Sequence, residues 1–69
     1  MMKNENLKHA RLEKKLSQQE LAQLVGATRQ TIGLIELGKY NPSLHLCLAI
    51  CYALEQKLDA LFWKESDRT

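Results

Sequence analysis

A chain of 69 residues with 45% hydrophobic content has room for one domain, is too apolar to be disordered, and is too short for a thick core. The net charge of +2, from 10 basic and 8 acidic residues, is too small to identify a partner. MMKNENLKH is polar with no apolar run behind it, and no stretch approaches the length of a membrane span, so a cytoplasmic protein with no membrane partner is expected.

The placement of charge says more than its sum. Lys3, Lys8, Arg11, Lys14 and Lys15 crowd the N-terminal segment against only Glu5 and Glu13, and Arg29 and Lys39 flank the middle. A basic end is a weak pointer to a polyanion.

In chain order, Leu7, Ala10, Arg11 and Lys14 follow helical spacing and predict a first helix over about 6–15, with Leu16 packing inward after it. Ser17-Gln18-Gln19-Glu20 has the form of a capping box. Leu21, Ala22 and Val25 mark the buried face of helix two, and Gly26 stops it. Thr28 caps helix three, which runs to about 37 with Ile32 and Ile35 inward and Gly38 at its end. After the loop Lys39-Tyr40-Asn41-Pro42, Ser43 caps helix four, whose inner side is read as Leu44, Cys47, Leu48, Ile50, Cys51 and Leu54. A short last helix carries Leu58, Leu61 and Phe62, and 64–69 is read as a frayed tail. The expected fold is all-α: a compact bundle of about five short helices, one domain over 1–69 with its core over about 6–63.

The spacing at the centre carries the functional signal. A capped helix with the small Ala22 on its inner face reaches Gly26, and a second capped helix starts at Thr28. So short a turn makes the two helices cross steeply, and Ala22 lets them approach. Helix three is then left on the surface with Thr28, Arg29, Gln30 and Thr31 at its outer N-terminal end. No acidic residue stands there, and the helix dipole is positive at that end. Arginine pairs bidentately with guanine, glutamine with adenine, and a threonine methyl meets the thymine methyl. These are the requirements of a major-groove reader.

The stretch LSQQELAQLVGATRQTIGLIELGKYNPSL, within a match over about 7–62, resembles the phage-repressor type of helix-turn-helix, the Cro/cI-like or XRE family with its lambda-repressor-like fold; repressors of this kind are standard examples of the motif. The resemblance implies a DNA-binding transcriptional regulator, a repressor in most of the family, with no enzymatic activity and no cofactor. It implies that Gln18 bonds a phosphate and braces the reading side chains, and that Thr28 anchors helix three to phosphate. Arg29 and Gln30 would reach base edges, Thr31 and Gly33 would lie close to the DNA, and Lys39 and Asn41 would clamp the backbone. Arg11 and Glu36 stand where the family forms a salt bridge beneath the motif. GKYNPS is typical of very small members that consist of little more than the DNA-binding domain.

Three positions depart from the pattern. Gly33 lies inside the reading helix, where glycine costs roughly 1 kcal/mol against alanine; tolerated drift and close approach of the groove wall stand as equal readings. Leu24 and Leu34 stand where polar residues are usual. Leu34 is read first as a partly covered surface leucine, with a thymine-methyl contact as the alternative.

Cys47, Cys51 and His45 invite a metal reading, but His45 points to a different face and structural zinc sites want four ligands. The cysteines are read as reduced thiols filling the core, His9 as a surface residue, and no metal is expected. No catalytic constellation is present.

The outer face of helix four, His45, Ala49, Tyr52 and Gln56, is poor in charge, and Trp63 follows the last helix. Exposed apolar surface in a small domain often marks association, so a two-fold homodimer through Tyr52 and Trp63 is expected. A dimer would set two reading helices about 34 Å apart on double-stranded DNA. The alternative function is a protein-interaction module of the same fold, such as an antitoxin that binds a toxin protein.

Overall fold

The computed structural model describes residues 4–62, so Lys3, Trp63 and the expected tail over 64–69 lie outside the described residues. Five helices follow in order: α1 Glu5–Glu13, α2 Gln18–Val25, α3 Arg29–Glu36, α4 Leu44–Leu54 and α5 Leu58–Phe62. All are short, and short helices depend on their caps and on packing, because an isolated helix of this length is marginal in water.

The caps are side-chain oxygens that accept from otherwise unpaired amides. At α2 the box closes in both directions: Glu20 N–H donates to Ser17 Oγ at 3.0 Å, and Ser17 N–H donates to Glu20 Oε1 at 2.8 Å. Thr28 Oγ1 accepts from Thr31 N–H at 3.2 Å, and Ser43 Oγ from Leu46 N–H at 3.2 Å. The cap of α1 is Asn4, whose Oδ1 accepts from Leu7 N–H at 2.9 Å. Asn4 has two further roles. Its Nδ2 donates to the Leu61 carbonyl at 2.7 Å and its backbone N–H to the Glu36 carbonyl at 3.0 Å. One residue thus joins the start of α1 to the ends of α3 and α5.

The core is one cluster. Leu7, Leu21, Ile32, Ile35, Ile50 and Leu54 are fully buried, joined by Ala10, Ala22, Cys51 and Leu61. α2 packs most extensively on α3 and also meets α4, while α1 lies against α5 and α3. Cys47 and Cys51 are free and buried, and burial pushes both thiols up. Among the described residues no helix is long and apolar enough to cross a membrane.

The inner side of α4 differs from the expected one. Cys47, Ile50, Cys51 and Leu54 face the core, but Leu44 and Leu48 are 64% and 50% exposed. The segment LHLCLAICYAL is apolar almost all round, so its pattern offers no polar side to fix its rotation. Packing against α2 and α5 decides the matter and leaves Leu44 and Leu48 on the flank.

α1 ends one turn before the next cap, and Lys15 closes it at φ 58. Leu16 N–H then reaches the Arg11 carbonyl at 3.1 Å. A left-handed residue with a Cβ costs about 1–2 kcal/mol, part of which glycine returns through its freer unfolded chain. Lys15→Gly is therefore expected to raise stability by roughly 0.5–1 kcal/mol, seen as a higher urea midpoint with unchanged slope.

Candidate nucleic-acid interface

α2 ends at Gly26, whose φ of 74 no β-carbon has to tolerate, and Ala27 N–H donates back to the Ala22 carbonyl at 2.9 Å. Ala22 is fully buried. With Ile32 and Ile35 in the core, α3 stands with its opposite side outward. Thr28, Arg29 and Gln30 are exposed at its N-terminus and Thr31 is half-buried. The first turn carries no acidic residue, so nothing offsets the positive end of the helix dipole. The hydroxyls of Thr28 and Thr31 lie 3.0 Å apart, which ties the cap to the first turn.

Beneath α3 lies a buried ion pair. Arg11 Nε donates to Glu36 Oε2 at 2.8 Å and Arg11 Nη2 to Glu36 Oε1 at 3.3 Å. The two side chains are only 8% and 6% exposed. Arg11 Nη1 donates to the Leu16 carbonyl at 2.8 Å, and Gln18 Nε2 to Glu36 Oε1 at 3.1 Å. No buried side-chain nitrogen or oxygen among the described residues lacks a partner. A buried charge pair is tolerable only when its remaining donors and acceptors are engaged in this way.

The contact with Glu36 also orients Gln18. A carboxylate only accepts, so the amide nitrogen must face it. One of the two amide N–H groups is engaged there, and the other remains for a ligand. The amide group as a whole lies against Gly33, where its oxygen, nitrogen and carbon would stand 3.6, 3.7 and 3.9 Å from an added Cβ. That is ordinary contact, so the protein itself has room for a side chain at Gly33.

These residues share a cleft of about 440 Å³. Gln18, Arg29, Gln30 and Gly33 line it together with Arg11 and Glu36. Lys8 and Glu5 of α1 line its far wall, and Leu34 and Leu37 complete the α3 side. Thr28 and Thr31 sit at the adjoining helix start, and Lys39 and Asn41 are exposed on the loop after α3. Tyr52 is 90% exposed on α4 and takes no part in the cleft. Leu24 is 63% exposed on α2. The expected dimer residue Trp63 lies outside the described residues. Among the described residues no group of three His, Cys, Asp or Glu side chains is arranged to hold a metal.

Three features of the site escape residue-by-residue reading. Asn4 carries no periodic signal, yet it ties α1 to the end of α3. Leu16 supplies a backbone carbonyl, which no side-chain pattern announces. Gln30, Leu34 and Leu37 follow the i, i+4, i+7 rule, so they form one outward line along α3. That line could have been drawn from spacing alone.

Two capped helices, a glycine turn and an outward-standing second helix define a helix-turn-helix domain. A helix-turn-helix family model matches residues 7–61. The uncharacterised HTH-type transcriptional regulator YgzD of Bacillus subtilis is 46% identical over 66 residues, which covers 96% of this chain and 98% of that protein. An uncharacterised HTH-type transcriptional regulator of Methanocaldococcus jannaschii is 44% identical over 66 residues, again covering 96% and 98%. Among solved structures, the restriction-modification controller protein C.AhdI of Aeromonas hydrophila is similar with a TM-score of 0.77 and 38% identity, covering 83% of this chain and 86% of its own. The chain belongs to the XRE-type helix-turn-helix family of DNA-binding transcriptional regulators, which are not enzymes.

Replacing Glu36 by leucine strands the Arg11 guanidinium and the Gln18 amide. Glu36→Leu is expected to destabilise the fold by about 3–5 kcal/mol in chemical denaturation. The double variant Arg11→Met/Glu36→Leu is expected to lose much less, because it removes the buried charge with its partner.

Proposed function

We propose that this regulator is a sequence-specific repressor that occupies promoter DNA in the cytoplasm, with α3 in the major groove. The observation that carries the reading is the exposed, acid-free first turn of α3 with Arg29 and Gln30 upon it. Arg29 bonds guanine O6 and N7, and Gln30 bonds adenine N6 and N7. Thr31 and Gly33 lie against the groove, where the missing side chain at Gly33 lets the helix come close. Gln18, through its second amide N–H, and Thr28, at the helix start, hold one phosphate region. Lys39 and Asn41 hold the backbone beyond α3.

The chain acts as a two-fold homodimer in this reading. Leu44, Leu48 and Tyr52 are 64%, 50% and 90% exposed and stand four residues apart along α4. An apolar line of that kind on a small domain supports self-association. Tyr52 is its most exposed member. A two-fold pair places the α3 helices one DNA turn apart, about 34 Å. Sedimentation velocity at micromolar concentration is expected to show a dimer that Tyr52→Glu converts to monomer; a monomeric wild type contradicts the assignment.

Selection of preferred sites from random DNA, followed by binding measurements, tests the reading. Arg29→Ala is expected to cost about 1–3 kcal/mol at the selected site and to relax base choice at one position. Lys39→Ala is expected to weaken all sequences alike and to reduce the salt slope by about one. If Arg29→Ala weakens every sequence equally, Arg29 holds phosphate and does not read bases.

A further inference from the structure

The outward line of α3 changes character along its length. It begins at the polar Gln30 and continues through Leu34 and Leu37. Leu37 is 51% exposed, and the half-buried Leu34 lines the same cleft as Arg29 and Gln30. Neither leucine is among the buried residues of α3, which are Ile32, Ile35 and Glu36.

A leucine carried into the major groove strips water from base edges and returns no hydrogen bond. Donors and acceptors left unmade in this way are costly. The major groove of unmodified DNA offers one apolar group, the C5-methyl of thymine. A leucine on the reading line is therefore compatible with a base step that presents this methyl and is penalised over one that presents only polar edges.

We infer that Leu34 is a specificity-determining residue that packs on a thymine methyl, a role that rests on the placement of α3 in the major groove. Leu37 is a weaker reader, because it is the C-terminal cap and stands nearly one turn further than Leu34 from the base-reading N-terminal portion of the helix. Gly33, beside Leu34, adds no side chain of its own, and the Gln18 amide lies 3.6 Å from where its Cβ would stand. Leu34 lies four residues beyond Gln30, which is about 6 Å along the helix. At about 3.4 Å per base pair, the thymine stands roughly two base pairs from the adenine read by Gln30.

The test uses the full chain and the site selected from random DNA. Each thymine of the site is replaced in turn by deoxyuridine, which removes the methyl and keeps every hydrogen-bonding group. The expected result is one thymine per half-site, about two base pairs from the adenine of Gln30, whose replacement weakens wild-type binding about fourfold. Leu34→Ala should bind the thymine and uracil forms equally, and so should Leu34→Gln, which keeps the length of the side chain but not its apolar end. The absence of a uracil penalty at every thymine overturns the inference and leaves Arg29 and Gln30 as readers. So does a penalty that both Leu34 variants retain. Failure of the selection to yield any preferred site overturns the reading of α3, and the role of Leu34 with it.

Discussion

Three segments of the chain meet on the carboxylate of Glu36. Arg11 comes from the last turns of α1 and binds it through two nitrogens, and Gln18 comes from the first turn of α2. Glu36 itself is the last residue of α3, and its own carbonyl receives the amide of Asn4. Contact between aliphatic side chains is non-directional and tolerates some rolling of a helix. Charge-assisted hydrogen bonds at 2.8 Å do not. The thin core brings the helices together, and this pair fixes the rotation at which α3 leaves the surface.

That rotation connects stability to DNA reading. The same turn of α3 that buries Ile32 and Ile35 turns Gln30, Leu34 and Leu37 outward. Gln18 links the two most directly: one amide N–H is engaged by Glu36 inside the protein, and the residue lines the cleft. In the proposed phosphate role of Gln18, this contact would set the amide before DNA arrives and limit the ordering cost of binding. The charges elsewhere behave differently. The exposed pair of Lys14 and Glu55 holds the Glu55 carboxyl below its usual range, yet it joins two helix ends in open solvent where such pairs contribute little.

Much of the fold is legible in the residues because its punctuation is local. Ser17, Thr28 and Ser43 cap the helices their spacing predicts, and Gly26 takes the left-handed conformation that a glycine there implies. Arg11 and Glu36, placed together by family resemblance, form an ion pair in the structure. What stays hidden has physical reasons. The sequence reading puts Leu44 and Leu48 inside and the structure leaves them exposed, because an all-apolar helix carries no information about its own rotation. The first helix begins at Glu5 and ends at Glu13, against an expected 6–15. Its true cap, Asn4, lies in a polar segment with no periodicity, and its left-handed stop is a lysine, which local chemistry does not mark. The cleft itself is a tertiary property of α1, α2 and α3 and has no one-dimensional signature.

In the proposed complex α3 enters the major groove with its N-terminal turn against base edges. Dimethyl sulfate methylates guanine at N7, which lies in that groove. The most direct measurement is therefore the reactivity of each guanine in the selected site at saturating protein. N7 protection is expected at the guanine bonded by Arg29, with loss of that protection alone when Arg29→Ala is bound. Unchanged N7 reactivity across a fully occupied site would place α3 outside the major groove and contradict this mode of binding.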